Sequence, residues 1–253
     1  MSATKTYRIG QIVPSSNTTM ETEVPLMLRR AFVPDGVGFT FHSSRAPMKT
    51  VSKDELTAMN AHMARCASEL IDARVDVIAS ACLVAIMCQG TSYHRETERS
   101  LRAVCNADGV ELPIITSAGA LIEASKALGA KKIAIIAPYM KSLTDLVITY
   151  IEGEGIEVLD AISLEIPDNL EVGARDPLAL VDIVKKLSTQ NADAVVLSVC
   201  VQMPSLAALD IVQRTCDVPV FSTAAATVFE ILRALKLPAE VRAAGGLLSG
   251  QFA

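Results

Sequence analysis

The sequence contains no run of lysine or arginine residues. Its 253 residues include 23 Lys and Arg against 28 Asp and Glu, so the formal net charge is −5 at pH 7. Proteins that bind nucleic acid or anionic membrane surfaces usually carry a basic patch or stripe. The lack of one argues against both kinds of partner, and we expect a small-molecule site instead.

Long apolar stretches are also absent, although 51% of the residues are hydrophobic. Gly, Pro or a charged residue interrupts each apolar run within about ten residues, whereas a membrane-spanning helix needs about twenty. The segment Met1–Arg8 is polar and lacks the apolar stretch of a signal peptide. We therefore expect a cytoplasmic protein with no membrane association.

Cysteine pairs of the metal-binding type are missing as well. The chain has six cysteines but no CxxC motif and no histidine at zinc-ligand spacing, so no metal site is predicted. Disulfides are not expected in a cytoplasmic chain of this size. Each thiol is a small buried hydrophobic group unless its surroundings indicate otherwise. The six are Cys66, Cys82, Cys88, Cys105, Cys200 and Cys216.

Short β-branched runs alternate with amphipathic segments along the whole chain. This alternation is typical of parallel strands joined by helical crossovers, so we predict an α/β fold. The predicted strands are Arg8–Val13, Val37–His42, Val75–Ala79, Ile114–Thr116, Lys132–Ala137, Glu157–Ser163, Ala194–Ser198 and Val218–Phe221. The predicted helices are Thr18–Arg30, Lys53–Ala73, Ser92–Ala107, Ala118–Leu128, Lys141–Glu152, Pro177–Gln190, Ser205–Thr215 and Ala224–Ala234.

An internal repeat is the most informative feature, because segments of matching chemistry recur in the same order in the two halves of the chain. Three matches in one order are hard to obtain by chance, so the chain is interpreted as duplicated. The matched pairs are Ile9–Pro14 with Ile133–Pro138, Val75–Cys82 with Ala192–Cys200, and Leu112–Ser117 with Val218–Thr223.

Each half is then predicted to be a flavodoxin-like sheet of about four parallel strands flanked by helices. We place one half at residues 1–117 plus 224–253 and the other at 118–223, with the last long helix packing back on the first half. Such sheets bind ligands beyond the carboxyl ends of their strands. Loops from both halves are therefore expected to meet at one cleft between them.

Cys82 and Cys200 stand at equivalent positions of the repeat, each just after a central strand. Either thiol alone could be a core residue at the junction of a strand and a helix. At the start of a helix, however, unpaired backbone N–H groups and a positive potential lower the pKa of a thiol. The symmetric placement therefore favours a pair of reactive cysteines.

Two cysteines in equivalent halves, each ending a central strand, resemble the plan of the aspartate/glutamate racemase superfamily, over essentially the whole chain. The amino-acid racemases of that group typically follow the first cysteine with Asn-Thr and the second with Thr-His, and this sequence has neither. Its Pro-Ser-Ser-Asn-Thr segment at 14–18, Ala-Cys-Leu-Val at 81–84 and Val-Cys-Val-Gln-Met-Pro at 199–204 instead resemble the maleate isomerase branch. Arylmalonate decarboxylases keep only the second cysteine, so Cys82 argues against that branch.

The resemblance implies a set of substrate-binding residues in the loops that match. It marks Asn17, Tyr139 and Asn169, together with the backbone N–H groups that follow the cysteines at Val84 and Val201. Asn17 and Asn169 could also be simple turn residues, because asparagine favours turns. An aromatic side chain directly after a strand, like that of Tyr139, is harder to explain structurally.

The function that the resemblance implies is the cis–trans isomerisation of maleate to fumarate without any cofactor. Cys82 would add to the double bond, the resulting enediolate would rotate, and elimination would release the trans diacid. Cys200 would act from the other side of the substrate, either as an acid/base or as a hydrogen-bond donor. The expected partner is a small dicarboxylate, and a homodimer is expected from the resemblance and from base rates.

Two other functions remain open at this point. A racemase or epimerase of a small carboxylic acid could use Cys82 and Cys200 as opposed acid and base on an α-carbon. A binding protein or sensor could also have two α/β halves around a cleft, since a fold alone does not establish a function. Such a binding protein would not need two symmetric cysteines.

Overall fold

Eight parallel strands of the described part of the chain form two sheets of four strands each. A computed structural model describes residues 4–252, so residues 1–3 and 253, the outer ends of the first predicted half, lie outside the described residues. All eight predicted strands are found, with ends that differ by a few residues. They are β1 (Lys5–Pro14), β2 (Val37–Ala46), β3 (Val77–Ser80), β4 (Ile114–Thr116), β5 (Lys132–Ala137), β6 (Glu157–Ser163), β7 (Ala194–Ser198) and β8 (Val220–Ser222).

The two sheets have the same strand order, which confirms the duplicated α/β architecture. The first runs β2-β1-β3-β4 and the second runs β6-β5-β7-β8. Every described pair of neighbouring strands is parallel. The three sequence matches fall on β1 with β5, β3 with β7, and β4 with β8, so matched segments occupy matching places in the two sheets.

Helices connect consecutive strands and cover the faces of both sheets. They are α1 (Met20–Arg29), α2 (Lys53–Asn60), α3 (Met63–Asp72), α4 (Leu83–Met87), α5 (Tyr93–Ala107), α6 (Ser117–Ala127), α7 (Lys141–Gly153), α8 (Asn169–Gly173), α9 (Ala179–Ile183), α10 (Leu206–Gln213) and α11 (Thr223–Ala234). Short 3₁₀ turns occupy Val184–Lys186 and Gly246–Leu248. Among residues 4–252, no helix is both long and apolar enough to cross a bilayer.

The helices differ from the prediction in four places. The single helix predicted at 53–73 is divided into α2 and α3. The helix predicted at 177–190 shortens to α9 and a 3₁₀ turn, because the chain becomes extended at Leu187. Helices α4 and α8 were not predicted, since five residues are too few to display a helical period.

The last long helix, α11, contacts elements on both sides of the predicted boundary. It follows β8 and lies against α1 of the predicted first half and against α6, which the boundary at residue 117 assigns to the second half. Its Thr227 hydroxyl donates a hydrogen bond of 3.3 Å to the Ser117 hydroxyl at the start of α6. The boundaries at residues 117 and 223 stay a prediction.

Buried parallel strands explain why the loops meet where they do. Strands β3 and β7 are buried along their whole length, so helices cover both faces of each sheet and only the strand ends reach a cleft. Cys82 and Cys200 follow β3 and β7, whereas Asn17 and Tyr139 follow β1 and β5. The central strands of both sheets thus deliver their carboxyl-end residues to one region.

Candidate active site

A cleft lined by residues of both halves opens at the carboxyl ends of the central strands. Its volume, counted to the open mouth, is about 310 Å³. All seven predicted site residues line it: Asn17, Cys82, Val84, Tyr139, Asn169, Cys200 and Val201. The remaining lining residues are Pro14, Met48, Val51, Leu83 and Gln202.

Cys82 is the N-cap of the one-turn helix α4 and has a left-handed backbone, with φ 75° and ψ 72°. Non-glycine residues seldom adopt this conformation, and where they do it often marks a functional site. The side chain is half-buried. Burial raises the pKa of the Cys82 thiol to about 12, although the nearby N–H of Ala85 favours the thiolate. The expectation that a helix N-terminus lowers this pKa was therefore wrong, because desolvation outweighs one short helix.

Cys200 is buried in an irregular loop, and the next helix, α10, begins only at Leu206. The expected helix start at this second cysteine is therefore also wrong. Burial raises the pKa of Cys200 as well, but three groups act in the opposite direction: the hydroxyl of Tyr139 and the backbone N–H groups of Met203 and Gln202. Among the described residues, more donors thus face the sulfur of Cys200 than that of Cys82, which has the N–H of Ala85 alone.

The side-chain amide of Asn17 has one group that caps a helix, Oδ1, and one that is available to a ligand, Nδ2. Its Oδ1 accepts hydrogen bonds from the backbone N–H groups of Thr19 and Met20, each of 3.0 Å, at the start of α1. This cap fixes the orientation of the amide. The Nδ2 group has no hydrogen-bond partner among residues 4–252, and the side chain lines the cleft. Asn17 can therefore donate to a ligand without releasing the helix.

Asn169 and Tyr139 are donors that reach the cleft from the second half. Nδ2 of Asn169 donates to the hydroxyl of Ser16 across the cleft, at 2.8 Å. The hydroxyl of Tyr139 donates to the carbonyl of Val199 at 2.9 Å, and burial raises its pKa well above the ordinary value. Tyr139 thus remains neutral at physiological pH, and its single O–H must turn away from the Val199 carbonyl to donate to the Cys200 sulfur or to a ligand.

Close relatives carry the same arrangement of two halves. The chain is 58% identical to a maleate isomerase of Geobacillus stearothermophilus over 98% of its own length and 99% of the relative's. It belongs to the maleate isomerase family. A family model described as arylmalonate decarboxylase also matches residues 9–248, so the chain belongs to that wider family too.

Two solved maleate isomerase structures show that the similarity extends from the sequence to the three-dimensional fold. A maleate isomerase of Pseudomonas putida S16, a cysteine-to-alanine variant with maleate, is 53% identical, covers 98% of this chain and 99% of its own, and superposes with a TM-score of 0.95. A Nocardia farcinica maleate cis–trans isomerase is 41% identical over 98% of this chain and 100% of its own, with a TM-score of 0.94. That structure is a cysteine-to-serine variant with a covalently bound succinylcysteine intermediate.

Several residues around the cleft of this maleate isomerase family member were missed by sequence reasoning. Arg45, at the end of β2, donates to the carbonyl oxygens of Asn17 at 2.6 Å and Ser15 at 3.0 Å. The guanidinium of Arg45 therefore supports the loop at residues 14–18, although the motif segments at 14–18, 81–84 and 199–204 contain no positively charged residue. Met48 and Val51 reach the cleft from the β2–α2 connection. No local pattern signals these three residues. The register of β1 with β2 places Arg45 beside the loop, and hydrogen bonds between the Ser15 hydroxyl and the backbone of Met48 hold the connection that follows.

His42 lies on β2, where its Nε2 pairs with the hydroxyl of Thr40 at 3.0 Å, and it does not line the cleft. Among the described residues, no group of three or more His, Cys, Asp or Glu side chains is placed to hold a metal ion.

The high pKa of Cys82 leads to a test on the unliganded protein. A thiolate reacts with iodoacetamide and a thiol does not, so the alkylation rate follows the thiolate fraction. With a pKa of about 12, we expect the rate at Cys82 to rise about tenfold per pH unit from pH 7 to 10, where an ordinary thiol of pKa about 8.5 levels off. Peptide mass spectrometry measures the rate at each cysteine. A plateau below pH 9 would show that the helix start dominates.

Proposed function

We propose that this chain converts maleate into fumarate, with Cys82 as the nucleophile and without a cofactor. The observation that carries the proposal is the cleft itself, in which two thiols from equivalent strand ends face a ring of neutral hydrogen-bond donors. The high identity to maleate isomerases supports the same reaction. A binding protein would have no use for two sulfur atoms at these positions.

The first step is addition of sulfur to an alkene carbon. The thiol of Cys82 gives up its proton, its sulfur forms a bond to one carbon of the double bond, and the π electrons move onto the neighbouring carboxylate as an enediolate. The carbon–carbon bond is then single and can rotate. The succinylcysteine of the Nocardia farcinica relative supports this step, because it is a sulfur–carbon adduct on a saturated diacid chain.

The enediolate needs donors in fixed positions, because its added charge is poorly stabilised in an apolar cleft. We assign this role to the side chains of Asn17, Asn169 and Tyr139 and to the backbone N–H groups at Val84 and Val201. After rotation, the electrons return to form the trans double bond and expel the Cys82 thiolate. Every electron pair returns to its origin, so the reaction requires no redox cofactor, and the hydrogen-bond donors of the cleft supply the stabilisation that a Lewis-acid metal would otherwise provide.

We propose that Cys200 accepts the proton that Cys82 loses when its sulfur attacks the alkene. The donors around the Cys200 sulfur, which include the Tyr139 hydroxyl, stabilise a thiolate there better than at Cys82. The first proton lost by the pair therefore leaves Cys200 for the solvent, and the resulting thiolate accepts the proton of Cys82 as that sulfur attacks. The proton returns to Cys82 when it is expelled.

Proton NMR tests the reaction directly. Purified protein treated with EDTA and mixed with maleate should produce the vinyl singlet of fumarate without any addition. The same sample with L-aspartate or L-glutamate in D₂O should show no exchange of the α-hydrogen, because the alternative racemase must remove that hydrogen. Exchange of an α-hydrogen without formation of fumarate would overturn the proposal in favour of the racemase.

We propose that the chain forms a homodimer, which is the commonest assembly of soluble enzymes, and that it works in the cytoplasm. Light scattering after size exclusion should give twice the mass of one chain. A monomer at micromolar concentration would contradict the dimer and leave the proposed chemistry unchanged.

A further inference from the structure

The side chain of Gln202 connects the loops that carry the site residues. Its Oε1 accepts hydrogen bonds from the backbone N–H groups of Thr18 at 2.9 Å and Thr19 at 3.4 Å. Its Nε2 donates to the carbonyl oxygens of Ser16 at 3.0 Å and Asn169 at 2.8 Å. The carboxamide thus uses both donors and its acceptor, and only 3% of the residue is exposed.

These contacts hold the peptide groups on both sides of Asn17. Ser16 and Thr18 flank it, and Gln202 bonds to the carbonyl of one and the N–H of the other. The same amide fixes the backbone of Asn169, and the backbone N–H of Gln202 lies beside the sulfur of Cys200. One residue therefore sets the relative position of two proposed donors and one proposed acid/base across both halves.

Gly173 provides the space that this amide occupies. A Cβ atom at position 173 would overlap Nε2 of Gln202 and would stand 3.0 Å from the hydroxyl of Thr18. Nε2 is the end of a flexible side chain, but its hydrogen bonds and its burial prevent it from moving freely. A side chain at position 173 must therefore displace Gln202 or its partners.

We propose that Gln202 is a positioning residue for the isomerisation, acting through Asn17 and Asn169. This inference rests on the proposed function and adds a residue that it did not include. Errors of about 1 Å in the position of a donor can lower a rate by roughly a hundredfold. Loss of the Gln202 amide should accordingly lower kcat much more than it changes KM.

Gln202→Glu is the sharpest substitution, because a carboxylate of nearly the same shape keeps the acceptor for Thr18 but loses the donor toward Ser16 and Asn169. We expect kcat to fall by about 30- to 100-fold. The added charge also repels a dicarboxylate, so KM should rise as well. Gly173→Ala displaces the same amide without adding charge and should lower kcat with KM within threefold of wild type, although alanine favours a helix more than glycine does. This second variant keeps the inference testable if Gln202→Glu folds poorly.

Gln213→Glu is the matched control. The Gln213 amide also joins backbone groups, donating to the carbonyls of Cys216 and Val218 and accepting from the N–H of Val220, but it does not line the cleft. We expect Gln213→Glu to lower thermal stability while kcat per folded molecule stays within twofold of wild type.

A double-mutant cycle separates positioning from a purely structural role. If Gln202 acts through Asn17, then Gln202→Glu should lower the kcat of the Asn17→Ala variant by a much smaller factor than it lowers the kcat of the wild-type protein. Independent, multiplying effects or a Gln202→Glu kcat within threefold of wild type would overturn the inference. A wild-type protein that forms no fumarate would overturn the proposed function itself, so the two failures are distinct.

Discussion

Cys82→Ala is expected to abolish turnover, with kcat at least 10⁴-fold below wild type, because it removes the nucleophile of the proposed reaction. The fold should be retained, since the lost sulfur is half-buried and alanine is only slightly smaller. Formation of fumarate followed by NMR gives the rate, and circular dichroism gives the thermal stability. Retention of a tenth of the wild-type kcat would remove Cys82 from the mechanism.

A matched control for this substitution is Cys216→Ala, because Cys216 is also a half-buried free thiol but does not line the cleft. It should leave kcat unchanged. A complementary experiment uses Cys200→Ser to trap the adduct on Cys82 with the added mass of the diacid. The tryptic peptide 75–95 contains Cys88 as well, so fragment ions must separate the two thiols. A label confined to Cys88 would identify a different nucleophile.

Asn17→Asp is expected to lower kcat/KM by roughly a hundredfold or more, the typical loss when one oxyanion donor is removed. The aspartate oxygen keeps the cap on the N–H groups of Thr19 and Met20. It replaces the donor toward the cleft by a negative charge, which repels a dicarboxylate. Steady-state kinetics measures the loss, and thermal unfolding should be close to wild type.

Asn17→Ala distinguishes this role from that of a turn residue. Alanine loses both the cap and the donor, so the free energy of unfolding should fall by about 1 kcal/mol in addition to the loss of activity. If Asn17 serves the turn alone, Asn17→Asp should be fully active and only Asn17→Ala should be impaired. Normal kinetics of the folded Asn17→Asp protein would therefore contradict the assignment.

The electrostatics of the cleft explain why neutral donors surround a dianionic substrate. Burial raises the pKa of Cys82, Cys200 and Tyr139, so all three are predominantly uncharged in the unliganded protein at neutral pH, and the Cys200 thiolate that accepts the proton of Cys82 is a minor form. Charge enters the cleft with the substrate and moves onto the enediolate during addition. Neutral dipoles in fixed positions can stabilise the charge on the enediolate. They do so without the strong ground-state binding of the substrate that a buried cation would add.

Much of the candidate site was predictable, because it depends on local patterns. Continuous apolar runs identify buried parallel strands, and the residue that follows such a strand lies at the ligand-binding edge. This reasoning placed Cys82, Cys200, Asn17 and Tyr139 at one cleft. Asn169 depended on the family resemblance, since the one-turn helix that begins there has no detectable period.

The sequence by itself determined the strands, their duplicated order and the two thiols at equivalent strand ends, because hydrophobic periodicity and repetition are properties of neighbouring residues. Only the tertiary structure decided the ionisation of those thiols and the role of Gln202. The pKa of Cys82 depends on how much water the other half of the chain excludes. The amide of Gln202 meets the N–H of Thr18 across 184 residues of sequence, and no local pattern encodes a contact of that length.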